Sequence, residues 1–335
     1  MSRTVATLDL SRSALGLAAC AARLAADRLS GRPRRRDWSF ATEAVARLLK
    51  DEIHRSRNLD LQALRAHLDR FAFPALPADR VPIRRASLGG VQGWRLDPPG
   101  APEEAALLYL HGGGYVFGSI KTHGAFVSAL ARRAGLRTWF PEYRLAPEHP
   151  FPAALEDARA AYLGLLGSGQ APERLALAGE SAGGGLALGL LLSLRKTGSP
   201  LPACAALISP WVDHTFSGGS IALNEPYDFA DRALAERWSA AYLAGADPRH
   251  PLASPLFADL AGLPPLLVQV GGAELLHDEV EELVAKARAQ GAEVAFTDWP
   301  GMFHVWQFAQ ALLPSGAQAT DELARFLRDR VATNL

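Results

Sequence analysis

The segment Gly179-Glu180-Ser181-Ala182-Gly183 joins one apolar run to another and holds a serine between two glycines. A serine on a sharp strand-to-helix turn is exposed at the end of the strand, where its hydroxyl can attack a carbonyl carbon. The helix that follows directs its N-terminal partial positive charge at any anion formed there. Because glycine-flanked serines also occur in ordinary turns, this segment alone leaves both interpretations of Ser181 open.

A second motif, His111-Gly112-Gly113-Gly114, follows another apolar run. Three successive glycines leave backbone N–H groups unshielded, and fixed amide donors stabilise the negative oxygen of a tetrahedral intermediate. A phosphate loop is the competing interpretation, but its Gly-Lys-Ser/Thr ending and the Gly-x-Gly-x-x-Gly pattern are both missing from this motif. The glycines therefore predict an oxyanion hole, and we interpret His111 as a structural residue that organises the loop.

A serine nucleophile needs a general base, and the base needs a carboxylate that orients it. Where a strand-serine-helix turn carries the nucleophile, the acid and then the histidine follow it along the chain. The histidines after Ser181 are His214, His250, His277 and His304. His304 follows the last predicted strand and a Pro-Gly turn, whereas His214 and His250 lie in or near a predicted insertion and His277 enters a charged helix. His304 is the predicted base.

Two carboxylates compete for the role of the acid. The strand in "PPLLVQVGGAELLHDE" ends near Val270, Glu274 is the first carboxylate beyond its turn, and Asp278 lies four residues later. A residue in a strand-end loop is better placed to reach an imidazole than one that opens a helix and already caps it. We therefore favour Glu274, and Asp278 stays open as the alternative.

The elements that must position these residues change character near residue 76. Residues 1–75 contain two amphipathic helical patterns, over 45–53 and 61–71. Helices of this kind need to bury their apolar faces against the rest of the protein. From residue 80, short β runs alternate with helical stretches, which predicts an α/β fold with an eight-stranded, mostly parallel sheet flanked by helices. The first two runs are separated by Gly-Gly and are expected to form an antiparallel edge hairpin.

About fifty residues between "SPWVD" and "PPLLV", at about 213–260, contain several aromatic side chains and no clear strand. We interpret this stretch as an insertion over one end of the sheet of a catalytic domain at 76–335. Four aromatic residues near the motifs can line an acyl or alcohol pocket or belong to the core. They are Tyr115, Phe117, Trp211 and Trp306.

Composition limits the partners. Lys plus Arg equals Asp plus Glu at 35 each, so we expect no nucleic acid or anionic lipid partner. The "RPRRR" run at 32–36 is interpreted as a solvated linker, and Cys20 and Cys204 have neither metal-ligand nor redox spacing. Arg12 and Arg23 bracket only ten residues, too few to span a membrane. We favour a cytoplasmic protein without stable membrane insertion over a secreted one.

Five ordered motifs between about residue 80 and the C-terminus resemble the hormone-sensitive-lipase-like family of α/β-hydrolase esterases. They are "HGGGYVFGS", "YRLAPEHPFPAALED", "GESAGG", "SPWVD" and "GMFHVW". The resemblance implies the α/β-hydrolase fold, with Ser181 as nucleophile and His304 as base. It also implies an oxyanion hole from the N–H groups of Gly113, Gly114 and Ala182, and a cap formed by the N-terminal helices together with the insertion.

The chain departs from the family at the acid, because many members carry Asp-Pro-Leu where this sequence has Glu274-Leu275-Leu276. The spacing of 30 residues from Glu274 to His304 is similar to that of the family and supports Glu274. We interpret Tyr143, Arg144, Glu148 and His149 as a buried polar network that braces the glycine loop, and Glu180 as a hydrogen-bonding residue of the serine turn.

These residues predict a serine carboxylesterase for short- to medium-chain, small-molecule esters, acting through an acyl-enzyme. Lactone or amide hydrolysis uses the same machinery and is the alternative. A non-catalytic small-molecule receptor of the same fold is disfavoured, because receptor relatives of the family have lost the histidine that stands here at His304. No metal or organic cofactor is implied. A homodimer through edge-strand pairing is possible, as in similar enzymes.

Overall fold

The computed structural model describes residues 22, 24–30, 34–71, 73 and 75–332. The N-terminal segment on which the predicted location depends, including Arg12, Cys20 and Arg23, lies outside these residues, as does part of the "RPRRR" run. Cys204 is buried in a strand, as its apolar surroundings predict. Within the described part of the chain, no helix is both long enough and apolar enough to cross a bilayer.

Eight strands form one sheet in the order β1-β2-β4-β3-β5-β6-β7-β8. The first two pair as an antiparallel hairpin at one edge, β2 also runs antiparallel to β4, and every other neighbouring pair is parallel. This confirms the predicted eight-stranded, mostly parallel sheet. The strands are β1 Ile83–Leu88, β2 Val91–Leu96, β3 Ala106–Leu110, β4 Arg137–Pro141, β5 Leu175–Glu180, β6 Cys204–Ile208, β7 Leu266–Gly271 and β8 Val294–Trp299.

Helices cover both faces of the sheet, because the central strands β3, β5, β6 and β7 are mostly apolar and are buried at every position. Along β3, Leu108 and Leu110 pack with one core cluster, whereas Leu107 and Tyr109 pack with the other. The first core includes α4, α5 and α8, and the second includes α3 and α9. The α-helices are α1 Phe40–Ser56, α2 Leu61–Leu68, α3 Ile120–Ala134, α4 Ala153–Gly167, α5 Ala182–Lys196, α6 Ser220–Asn224, α7 Arg232–Leu243, α8 His277–Ala289 and α9 Pro314–Ala332.

The carboxyl ends of the parallel strands bring the predicted motifs to one edge. The glycine loop follows β3, the Ser181 turn joins β5 to α5, the Glu274 turn joins β7 to α8, and the His304 loop follows β8. β3 pairs with β5, β6 pairs with β7, and β7 pairs with β8, and each of these pairs is parallel. The four segments, which follow β3, β5, β7 and β8, therefore lie at the same edge of the sheet.

The N-terminal helices α1 and α2 contact the insertion that contains α6 and α7. Lys50 Nζ donates to the Glu225 carbonyl at 2.5 Å, and Arg237 Nη1 donates to the Arg57 carbonyl at 2.7 Å. Asp231, at the start of α7, lies 3.4 Å from the guanidinium of Arg57. The two segments are therefore joined to each other by polar contacts.

Candidate active site

Ser181 lies at the joint of β5 and α5 with φ 54° and ψ −124°, a conformation that a non-glycine residue rarely adopts. A Cβ atom on Gly183 would collide with the carbonyl oxygens of Leu110 and His111, and one on Gly179 would collide with the Gly183 backbone. Glycines at both positions therefore let the turn approach β3 closely. The Ser181 N–H donates to the Ile208 carbonyl at 2.9 Å, which fixes the turn against β6.

The glycine loop turns beside Ser181 with positive φ values of 108° at Gly113 and 58° at Gly114. Both glycines line the same cavity as Ser181, and Ala182 is the first residue of α5. Among the residues that the structure describes, the backbone N–H groups of Gly113, Gly114 and Ala182 have no hydrogen-bond acceptor. These three donors are thus free to bind a ligand oxygen.

His304 and Glu274 form a buried pair, with 2.8 Å between Nδ1 of the imidazole and Oε2 of the carboxylate. The other oxygen, Oε1, accepts from the Ser209 hydroxyl at 2.6 Å and from the Gly271 N–H at 2.7 Å. His304 lines the cavity together with Ser181. Fixing Nδ1 in this way leaves Nε2 as the nitrogen available for proton transfer.

The surroundings of His304 raise its pKa above the ordinary value of 6.5. Burial alone would lower this pKa. The charge of Glu274 and its hydrogen bond raise it more strongly, and the charges of Asp228 and Glu180 raise it further. The net result is a histidine whose protonated form is stabilised, as a base that must become an imidazolium during the reaction requires.

The Asp278 carboxylate bonds to Ser220, whereas a catalytic acid must bond to the histidine. Oδ2 of Asp278 accepts from the Ser220 N–H at 2.8 Å, and 44% of its side chain is exposed at the start of α8. Of the two carboxylates considered from the sequence, the structure therefore pairs only Glu274 with His304.

A buried network behind the glycine loop centres on Glu180, whose carboxylate accepts from the Tyr109 hydroxyl and the Gly112 N–H. The imidazole Nε2 of His123 lies 2.8 Å from Glu180 Oε1. The Tyr143 hydroxyl donates to the His111 carbonyl at 2.5 Å. Glu180 thus joins the serine turn to the first glycine of the loop.

Burial, helped by the charge of His123, lowers the pKa of His111 to about 3. The imidazole of His111 is therefore neutral near pH 7. Its Nδ1 lies 2.7 Å from the Gly112 carbonyl, within the loop that we expected it to organise.

The predicted network in the Pro-rich loop is wrong in part, because Tyr143 is buried but Arg144, Glu148 and His149 are exposed. Arg144 pairs with Asp157, at 3.0 Å from Nε to Oδ1, instead of bracing the glycine loop. The sequence placed these polar residues in a loop but carried no signal of which side chains the loop turns outward.

A cavity of about 150 Å³ connects these groups. Its walls are mostly apolar and come from both the N-terminal segment and the insertion. Residues 40–73 contribute Leu49, Ile53, Leu68, Phe71 and Phe73, and the insertion contributes Phe229, Ala230, Ala235 and Trp238.

Of the four aromatic residues predicted for the pocket, Phe117 and Trp211 line the cavity. Tyr115 and Trp306 do not, which corrects that prediction. Tyr115 is fully buried and stacks on Tyr242 with ring centroids 3.6 Å apart. Trp306 is fully buried and packs against Trp299 with centroids 5.7 Å apart, so neighbouring aromatic rings occupy the space that a ligand would need.

A family model of the alpha/beta hydrolase fold matches residues 107–308. The chain belongs to the α/β-hydrolase family. An acetyl-hydrolase of Streptomyces hygroscopicus is 43% identical to this hydrolase over 299 residues, which cover 88% of this chain and 98% of that protein.

Two solved structures align with this hydrolase over most of its length. An esterase from the bacterial hormone-sensitive lipase family is 40% identical, with a TM-score of 0.84, and covers 88% of this chain and 99% of its own. A structure of EstE5 soaked with p-nitrophenyl butyrate is 40% identical, with a TM-score of 0.83, and covers 88% and 100%. These matches confirm the fold and the family resemblance that the five motifs predict.

The structure of this hydrolase reveals two residues near the site that sequence reasoning missed. Arg65 on α2 donates from Nε to the Val116 carbonyl at 2.7 Å and from Nη2 to the Ala146 carbonyl at 2.8 Å, and so holds the chain just after the glycines. His123 reaches the cavity from α3. The only sequence signal for His123 was a histidine within an otherwise apolar helix face.

One group of side chains in this hydrolase has the residue types of a metal site. His277, Asp278 and Glu281 offer ligand atoms within 4.8 Å of one another at the start of α8. None of the three lines the cavity, and exposed acidic groups of this kind are common without an ion. We assign this group no function.

Proposed function

We propose that this protein is a serine carboxylesterase that hydrolyses small-molecule esters through an acyl-enzyme. One observation carries the proposal: the strained Ser181, the His304–Glu274 pair and two glycine N–H groups that have no acceptor among the described residues meet at a single cavity. Each group supplies a different requirement of acyl transfer, namely a nucleophile, an oriented base and donors for the oxyanion. The acetyl-hydrolase and esterase names of the relatives agree with this chemistry.

In the proposed reaction, Ser181 Oγ attacks the ester carbonyl carbon while His304 Nε2 takes the hydroxyl proton. Glu274 holds Nδ1 and stabilises the imidazolium. The N–H groups of Gly113, Gly114 and Ala182 bind the negative oxygen of the tetrahedral intermediate. When the C–O bond to the alcohol breaks, His304 gives its proton to the leaving oxygen, and the acyl group stays on Ser181.

Deacylation repeats these steps with water. His304 takes a proton from a water molecule, whose oxygen attacks the acyl-enzyme carbonyl, and the same N–H groups bind the second oxyanion. The proton then returns to Ser181 Oγ as the acid product leaves. The enzyme ends in its starting state, with one ester and one water converted to an acid and an alcohol.

We propose that residues 1–75 and about 213–260 form the cap of the enzyme. The support is the set of apolar side chains that both segments contribute to the cavity. A cavity of about 150 Å³ has the volume to accommodate a benzene-sized group. Each methylene buried there contributes about 0.8 kcal/mol until the space is full. We therefore propose short to medium acyl chains as the preferred substrates.

A panel of p-nitrophenyl esters from acetate to palmitate tests this proposal on wild type and S181A, with S168A as the matched control. Ser168 lies at the end of α4 and does not line the cavity. We expect kcat/KM to peak at short or medium chains, S181A to be inactive and S168A to match wild type. Faster hydrolysis of emulsified long-chain triglyceride, or full turnover by S181A, would contradict the proposal.

The same panel extended to lactones and anilides addresses the alternative reactions. The cytoplasmic location and the homodimer stay predictions. Cell fractionation and the mass of the protein in solution, measured by light scattering, are the experiments that decide them.

A further inference from the structure

The insertion holds the turn that carries Glu274. Asn224 Nδ2 donates to the Glu274 carbonyl at 2.8 Å and to the Gly272 carbonyl at 3.3 Å. Ser220 Oγ donates to the Leu275 carbonyl at 2.7 Å, and Asp228 Oδ2 accepts from the Leu275 N–H at 2.8 Å. The backbone on both sides of the Glu274 peptide is thus fixed from the insertion, while its carboxylate is fixed from the sheet.

Asp228 differs from the other two residues because its carboxylate also lines the catalytic cavity and is only 2% exposed. Its Oδ1 accepts from the Phe229 N–H at 2.6 Å, and the Phe229 ring lies 5.3 Å from the His304 ring, centroid to centroid. The mechanism proposed above gives this buried carboxylate no part.

We propose that Asp228 is a positioning residue of the esterase, which ties the insertion to the turn bearing Glu274 and places a second negative charge beside His304. This inference rests on the proposed function, because Asp228 acts through both of those residues. An imidazolium forms in acylation and again in deacylation, and a second fixed negative charge stabilises it each time.

The charges around Asp228 are consistent with this function. His304 and Glu274 face it from the loops after β8 and β7, and Lys50 faces it from α1. Burial raises the pKa of Asp228 to about 6, and the negative charge of Glu274 adds to this rise. The charge of His304 and the hydrogen bonds from the Leu275 and Phe229 N–H groups oppose it. The carboxylate is therefore already charged above about pH 6, below the raised pKa at which His304 becomes the neutral base.

The variant D228N removes the charge and keeps the shape of the side chain. Its amide oxygen can still accept from the Leu275 N–H, whereas the acceptor for the Phe229 N–H is lost. We expect the acid limb of the kcat/KM profile for p-nitrophenyl butyrate to move to lower pH by about 0.5 unit or more, because loss of a nearby negative charge lowers the pKa of His304. We expect kcat to fall about tenfold with KM changed less than about twofold. D228A, which also loses the acceptor, is expected to fall further.

N224A tests the backbone contact without changing a charge. We expect kcat to fall while the acid limb stays where it is in wild type. The matched control is D247N, the same substitution at an exposed residue of the insertion that does not line the cavity, where Asp247 accepts from the Arg249 N–H at 2.9 Å. An asparagine side chain can accept the same hydrogen bond, so D247N is expected to keep the wild-type kcat and acid limb.

A D228N enzyme with the wild-type acid limb and kcat would overturn the inference. If D228N does not fold, D228S is measured instead, since its hydroxyl retains an acceptor without the charge, and the same shift is required of it. S181A separates this inference from the proposed function: turnover by S181A contradicts the function itself, whereas an inactive S181A beside an unchanged D228N or D228S contradicts only the positioning by Asp228.

Discussion

Glu274 uses its extra methylene group to fold back over its own turn. Its Oε1 accepts from the Gly271 N–H three residues earlier, which leaves Oε2 directed at His304. An aspartate at this position is one methylene shorter, so its carboxylate would extend less far from the same backbone. The structure thus accommodates a glutamate where many relatives carry aspartate, with Ser209 as an additional donor to the same oxygen.

At the residue scale, replacing Glu274 by glutamine removes the charge that stabilises the imidazolium and lets an amide N–H donate to Nδ1, which favours the wrong tautomer of His304. We expect E274Q to lower kcat by about 10⁴-fold. D278N is the control, because Asp278 contacts Ser220 and not His304. Steady-state kinetics with p-nitrophenyl butyrate measure both variants, and an inactive D278N beside an active E274Q would reverse the assignment.

The raised pKa of His304 sets the pH dependence of the wild-type enzyme. The base must be neutral to accept the proton of Ser181, so kcat/KM rises as pH increases through the pKa of His304. Because that pKa lies above 6.5, we expect the midpoint of the acid limb above 6.5 as well. Rates measured from pH 5 to 9 in buffers of constant ionic strength test this, and a midpoint near 5 would contradict it.

At the element scale, one arginine holds α2 both to the segment that follows Gly113 and Gly114 and to the Pro-rich loop. Arg65 donates to the Val116 carbonyl in the first and to the Ala146 carbonyl in the second, and it binds the Glu148 carboxylate with both Nη atoms, at 2.8 and 2.7 Å. A planar guanidinium with several fixed donors suits this site, and lysine cannot reproduce it. The placement of α2 and that of the glycine loop are therefore linked.

We expect R65K and R65M to lower kcat for p-nitrophenyl butyrate by about tenfold, because the Val116 and Ala146 carbonyls lose their donors and the glycine amides shift from the oxyanion. R55M is the control, since Arg55 is exposed on α1 and its partner among the described residues is Glu52. Kinetics and thermal unfolding of the three variants are measured together. Wild-type kcat in R65M would show that α2 does not hold the loop.

The strands were predictable because each is a short apolar run between turn residues, and the convergence of Ser181, Glu274 and His304 followed from the common direction of parallel strands. Side-chain direction within loops was not predictable. Tyr115 and Phe117 are two residues apart in one loop, yet only Phe117 lines the cavity. Asp228 was also out of reach, since its contact with Leu275 spans 47 residues and no motif marks it.

At the scale of the whole molecule, a buried carboxylate joins α8 to the start of the insertion. Glu279 Oε1 accepts from the Val212 N–H at 2.7 Å and the Asp213 N–H at 3.2 Å. Its Oε2 is buried without a hydrogen-bond partner among the described residues. Burial raises the pKa of Glu279 well above its ordinary value of 4.5, against the opposing effect of the two N–H donors.

This raised pKa links global stability to pH. Between the ordinary pKa of an unfolded glutamate and the raised pKa of Glu279, the folded protein holds a proton that the unfolded chain has released, so stability from this group falls as pH rises through that window. Glutamine cannot ionise, and E279Q should therefore gain melting temperature relative to wild type as pH increases from 5 to 8. The control E282Q makes the same substitution at an exposed residue of the same helix and accounts for the loss of one carboxylate from it. Calorimetric melting temperatures at each pH test this link, and an E279Q difference that shows no gain with pH beyond that of E282Q would show that Glu279 does not titrate differently in the folded and unfolded states.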